Sequence, residues 1–123
     1  MFTAFLNQGD EVIMFEPFFD QYLPSVTFNA GTPVYVPLHP PSAGKTKPTS
    51  ADWTIDFEEL RRAVTSKTKM IIVNTPHNPV GKVFTREELE KIASIAEEFN
   101  LIVMCDEVVS FPFSSFLHRM CRV

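Results

Sequence analysis

A chain of 123 residues with 45% hydrophobic and 21% charged residues suffices for one modest soluble domain and not for two. Its net charge of −4, with Lys and Arg scattered, forms no basic stripe and argues against nucleic acid or an anionic membrane as partner. No stretch approaches the ~20 apolar residues of a membrane span. Met1 to Asn7 lacks the basic start and apolar core of a signal peptide, so the chain reads as intracellular: cytoplasmic, with mitochondria the alternative.

In chain order, Gln8, Gly9 and Asp10 form a turn, Glu11 to Phe15 a strand, and Glu16-Pro17 its exit. Phe18, Phe19, Tyr22, Leu23, Val26 and Phe28 are dense enough in apolar groups for a helix, with Pro24 tolerable only in its first turn and Gly31 as its stop. Thr32 to Leu38 is a second strand, assigned to an edge because of Pro33 and Pro37. His39 to Ala51 reads as an exposed loop rich in Pro, Ser, Gly and Lys. Asp56 and Glu59 have the spacing of a helix cap ahead of Leu60, Ala63 and Val64.

The most informative stretch runs from Lys69 to Val108. Met70 to Val73 and Leu101 to Cys105 are short continuous apolar runs, suited to strands buried on both faces. Between them, Thr85 and Glu88 have capping-box spacing, Leu89, Ile92, Ala93, Ala96 and Phe99 form one apolar stripe, and Asn100 closes the helix. Strand, helix and strand make a βαβ crossover, which places the two strands parallel. The segment after Asn74 and the pair Asp106-Glu107 then emerge on one carboxyl edge, where open α/β sheets hold ligands. Asn78 and Asp106 can therefore face one crevice.

The fold class expected is α/β, a mostly parallel sheet with flanking helices. Val109 to Val123 has a period of neither 2 nor 3.6 and stands apart as a tail. It supplies no crossover to cover the strand ending at Asp106, whose outer edge is left open to pairing.

Several familiar chemistries fail on the residues. Gly81-Lys82 lacks the upstream Gly of a phosphate loop, and no G-x-G-x-x-G is present for a dinucleotide. His39, His77 and His118 have no metal-ligand spacing and read as surface or loop histidines; no metal is expected. No Ser or Cys sits in a nucleophile elbow. Cys105 reads as a small core residue and Cys121 as a stray thiol, with no disulfide framework. What remains is NTPHNPVGK after one strand paired with CDEV after the next. Taken singly, the first could be a Pro-rich turn in which Asn74 and Asn78 bond their own backbone, and the second a solvated strand end.

NTPHNPVGKVFTREEL, MCDEV, GDEVIMFEPFFDQY and SADWTIDFEEL together resemble the class I/II aminotransferases that use pyridoxal 5'-phosphate, and most closely the kynurenine aminotransferase branch, also known as cysteine-S-conjugate β-lyases and glutamine transaminases. The resemblance runs from about Phe5 to Val108. It implies residues 1–108 as an incomplete part of the family's large, cofactor-binding domain, with 109–123 unmatched. It implies an amino acid and a 2-oxo acid as substrates, and the family's homodimer. By the same resemblance Asp106 is the carboxylate beside the cofactor's pyridine nitrogen, Asn78 bonds its phenolic oxygen, and Phe19 stacks on its ring.

Two departures follow. Val109 stands where the family has a tyrosine. The Schiff-base lysine lies in a downstream loop with no match here, and Lys67, Lys69, Lys82 and Lys91 sit where the family does not use one. The expectation is a fragment inactive alone, or else a non-catalytic remnant or interaction fragment that pairs with a full-length aminotransferase.

Overall fold

The computed structural model describes residues 2–44 and 46–107. The expectations for Val109, His118, Cys121 and the tail lie outside the described residues. The elements are α1 (Phe2–Phe5), β1 (Glu11–Glu16), α2 (Tyr22–Thr27), β2 (Thr32–His39), a 3-10 turn at Ser50–Asp52, β3 (Thr54–Ile55), α3 (Phe57–Ala63), β4 (Thr68–Asn74), α4 (Arg86–Glu98) and β5 (Ile102–Asp106). They build a five-stranded sheet in the order β3-β2-β1-β4-β5. The pairs β1 with β2, β1 with β4 and β4 with β5 are parallel, and β2 with β3 is antiparallel.

The period-2 alternation of a strand sorts side chains onto two faces. Val12, Met14, Met70 and Ile72 pack with Leu6, Tyr22 and Val26 on the side of α1 and α2. Ile13, Phe15, Ile71, Val73 and Val103 pack with Leu60, Leu89, Ile92, Ile95 and Ala96 on the side of α3 and α4. The central strands β1 and β4 are buried on both faces, as their unbroken apolar runs require. β5 is more open because, among the described residues, it lies at the sheet margin; Cys105 is accordingly only partly buried.

The helix signals behave as their chemistry dictates. Thr85 accepts from the Glu88 amide while the Glu88 carboxylate accepts from the Thr85 amide, closing the capping box. Asp56 accepts from the Glu58 and Glu59 amides at the start of α3. The buried stripe of α4 contains Ile95, whereas Phe99 at the C-cap is 39% exposed under Arg61.

Three sequence expectations change. The helix begins at Tyr22, so Phe18 and Phe19 belong to the preceding loop. Its stop is Ala30, which takes the left-handed conformation (φ 58°), while Gly31 serves close packing against Val26 and Leu6. β2 is not outermost, since Leu38 and His39 pair with Ile55 and Thr54. A two-residue strand is too short to show a period, which is why β3 escapes sequence reading. Among the described residues no helix is long and apolar enough to cross a membrane.

Candidate functional site

Because β1, β4 and β5 are parallel, Glu16, Asn74 and Asp106 end on one edge, and the loops 17–21 and 75–85 leave from it. Asn74 and Asp106 are register partners. The Asn74 carboxamide donates to the Asp106 carbonyl (3.2 Å) and accepts from the Asn78 amide (2.7 Å), while the Thr75 amide donates to the same carbonyl (3.0 Å). The backbone before Asn78 is thus fastened to the end of β5. The side chain of Asn78 is exposed and makes no hydrogen bond to any described residue.

Asp106 is half-buried. The Tyr22 hydroxyl, carried over from α2, donates to its Oδ2. Burial first, then the hydrogen bond and negative charge of Asp106, raise the Tyr22 pKa far above the ordinary phenol value. Tyr22 therefore stays a donor throughout the neutral range, and the second carboxylate oxygen accepts nothing from described residues. Phe19 is 37% exposed and meets the Tyr22 ring edge-on, with centroids 5.7 Å apart. This sheet edge thus carries an aromatic ring, a carboxylate held by Tyr22 and an amide that no described residue bonds.

Beneath this layer lies a cluster unforeseen in the sequence. His77 is a loop histidine, one of the two alternatives read from the sequence, but it is buried rather than at the surface: its Nε2 sits 2.7 Å from the Pro17 carbonyl and its ring lies edge-on to Phe84. Burial lowers its pKa; the Pro17 and Asn74 carbonyls oppose this and the Lys82 charge adds to it. Lys82 is buried too, paired with Glu88 at 2.9 Å and standing 5.5 Å from the Phe84 ring centre. Lys67 and Lys69 stand at the amino end of β4, and Lys91 lies over Phe57 on the α4 side. Three X-Pro peptides, at Pro17, Pro76 and Pro79, are cis. No group of three or more His, Cys, Asp and Glu among the described residues is arranged to hold a metal.

The sequence model of the aminotransferase class I and II family matches residues 1–110. The chain belongs to that family. It is 55% identical over 104 residues to the probable kynurenine–oxoglutarate transaminase BNA3 of Saccharomyces cerevisiae, covering 84% of this chain and 23% of that protein. It is 46% identical over 105 residues to human kynurenine–oxoglutarate transaminase 3, covering 85% and 23%. Its fold superposes on the crystal structure of Bna3p from Saccharomyces cerevisiae with a TM-score of 0.83 at 53% identity, over 87% of this chain and 25% of that one. The chain spans about a quarter of the length of these relatives.

The residues present fit the family's cofactor, pyridoxal 5'-phosphate. A pyridinium N–H needs a carboxylate acceptor, and Asp106 has one oxygen held by Tyr22 and the other bonded by no described residue. A planar ring needs an apolar face, which Phe19 exposes.

Proposed function

We propose that the chain is the cofactor-cradling part of an aminotransferase that moves an amino group from an amino acid of kynurenine or glutamine type to a 2-oxo acid. Residues 1–108 form this part of the family's large domain, and the family's homodimer is its expected setting. The observation that carries the reading is the convergence of Asp106, fastened through Tyr22 and Asn74, with Asn78 and Phe19 at one sheet edge. Bound pyridoxal phosphate supplies an electron sink for the amino acid's α-carbon while its ring nitrogen is protonated. Asp106 would hold a proton on that nitrogen, because an opposite charge at short range favours the charged form. Asn78 would donate to the phenolic oxygen, and Phe19 would cover the ring.

The chain is inactive alone in this reading. Lys82 is committed to Glu88, Lys67 and Lys69 lie at the far end of β4, and Lys91 is on the α4 side. Titrating the chain with pyridoxal phosphate by absorbance and equilibrium dialysis tests it. Saturable binding that Asp106→Asn weakens at least about tenfold, a loss of ~1.4 kcal/mol, supports the reading; equal binding overturns it. Borohydride trapping of an adduct at one defined lysine would contradict the inactivity.

A second reading, a non-catalytic piece that pairs with full-length aminotransferase subunits, draws on the outer edge of β5, which no described strand covers. Co-purification with an intact, tagged aminotransferase supports it, and clean separation refutes it.

A further inference from the structure

Two loops bring the ring-covering Phe19 and the amide Asn78 to the site, one after β1 and one after β4. Between them stands His77. Its backbone closes the turn of its own loop, the amide donating to the Lys82 carbonyl (2.7 Å) and the carbonyl accepting from the Gly81 amide (2.6 Å), with Gly81 at φ 72°. That leaves the ring directed out of the loop toward Pro17, two residues before Phe19.

A carbonyl oxygen can only accept, so the ring must carry its hydrogen on Nε2. The imidazole is 3% exposed, and among the described residues its Nδ1 makes no hydrogen bond of good geometry, although the Asn74 carbonyl lies close enough to act on the ring. A buried ring nitrogen left without a good hydrogen bond is a cost that packing alone would avoid with a phenyl group. The feature that a phenyl group could not supply is the bond to Pro17.

We propose that His77 is a positioning residue that ties the two loops into one unit, its Nε2–H holding the loop of Phe19 at a set separation from the loop of Asn78. The tie itself stands on the geometry of His77; what it serves, a site for pyridoxal phosphate, rests on the function proposed above. His77 touches neither substrate nor cofactor in this role. It acts through Pro17 on one side and through its own chain neighbour, Asn78, on the other.

Two variants separate a tie from a space-filler. His77→Phe keeps an aromatic edge against Phe84 and loses the donor, whereas the side-chain amide of His77→Gln can reach the same carbonyl. Amide hydrogen exchange by NMR reads both loops at once. In His77→Phe, amides of residues 18–21 and of Asn78 exchange roughly fivefold faster or more, the scale of one lost hydrogen bond, while those of β1 and β4 keep wild-type rates. His77→Gln returns both loops toward wild type. Dissociation of pyridoxal phosphate, measured by equilibrium dialysis, follows the same order.

Unchanged exchange at residues 18–21 in His77→Phe overturns the tie. If His77→Phe does not fold, His77→Gln decides alone: wild-type exchange at residues 18–21 supports the tie and faster exchange there overturns it. If the loops respond together but the wild-type chain takes up no pyridoxal phosphate, the tie stands and the cofactor reading falls.

Discussion

The hydroxyl of Tyr22 on α2 donates to the carboxylate of Asp106 at the end of β5, joining residues 84 positions apart in the chain. The bond crosses the end of β4, so it exists only when β1, β4 and β5 are assembled in order. Tyr22 thereby reports on the sheet and aims the carboxylate at the same time.

This bond predicts an alkaline instability. The folded-state pKa of Tyr22 is raised above the unfolded value of 10.0, so its contribution is fully present below pH 10 and is lost as pH rises further, where the unfolded chain ionises first. Urea denaturation from pH 8 to 11 should show wild-type stability falling more steeply above pH 10 than that of Tyr22→Phe. Parallel profiles would contradict the assignment.

Glu88 has two duties, and they can be separated. One oxygen caps α4 through the Thr85 amide, and the other neutralises buried Lys82. Glu88→Gln can keep the cap but leaves Lys82 unpaired, which should cost about 3 kcal/mol, against about 1 kcal/mol for Thr85→Ala. Adding Lys82→Met to Glu88→Gln should recover most of the loss in urea denaturation.

Adjacent substitutions at the end of α2 should have opposite signs. Ala30→Gly relieves a left-handed alanine and should stabilise by about 1 kcal/mol. Gly31→Ala would bring a Cβ to 3.0 Å from Val26 Cγ1 and 3.1 Å from Leu6 Cδ1, and should destabilise. Thermal unfolding of the two variants checks both.

Phe19 should matter for binding more than for folding. Its ring is 37% exposed, so Phe19→Leu should change stability by less than about 0.5 kcal/mol. Loss of stacking should weaken pyridoxal phosphate binding about fivefold, matching ~1 kcal/mol. Calorimetric unfolding and equilibrium dialysis measure the two effects separately.

Legibility in the sequence tracked the range of the interactions. The capping box of Thr85 and Glu88, the apolar runs of β4 and β5 and the parallel crossover between them are written in neighbouring residues, and the structure holds them as read. The common edge of Asn78 and Asp106 follows from that crossover. Tyr22 was readable only as an apolar helix position, since its partner is set by tertiary assembly. The sequence around His77 shows only the lack of metal-ligand spacing, whereas its partner is a backbone carbonyl, which no residue type announces. Lys82 gave no hint of burial because its partner Glu88 also belongs to a cap. The Ser50–Asp52 turn begins inside the His39–Ala51 stretch, whose composition says only loop, and β3 beyond it is too short to show a period.

The pairing of Asn74 with Asp106 makes the site sensitive to counting. Alternate residues of a strand point to opposite sides, so deleting one residue from β5 while its hydrophobic pairing is restored would rotate the acid toward α4, out of reach of Tyr22 and away from the crevice. A single missing codon there would leave a folded sheet in which Glu107, one methylene longer, takes the place of Asp106.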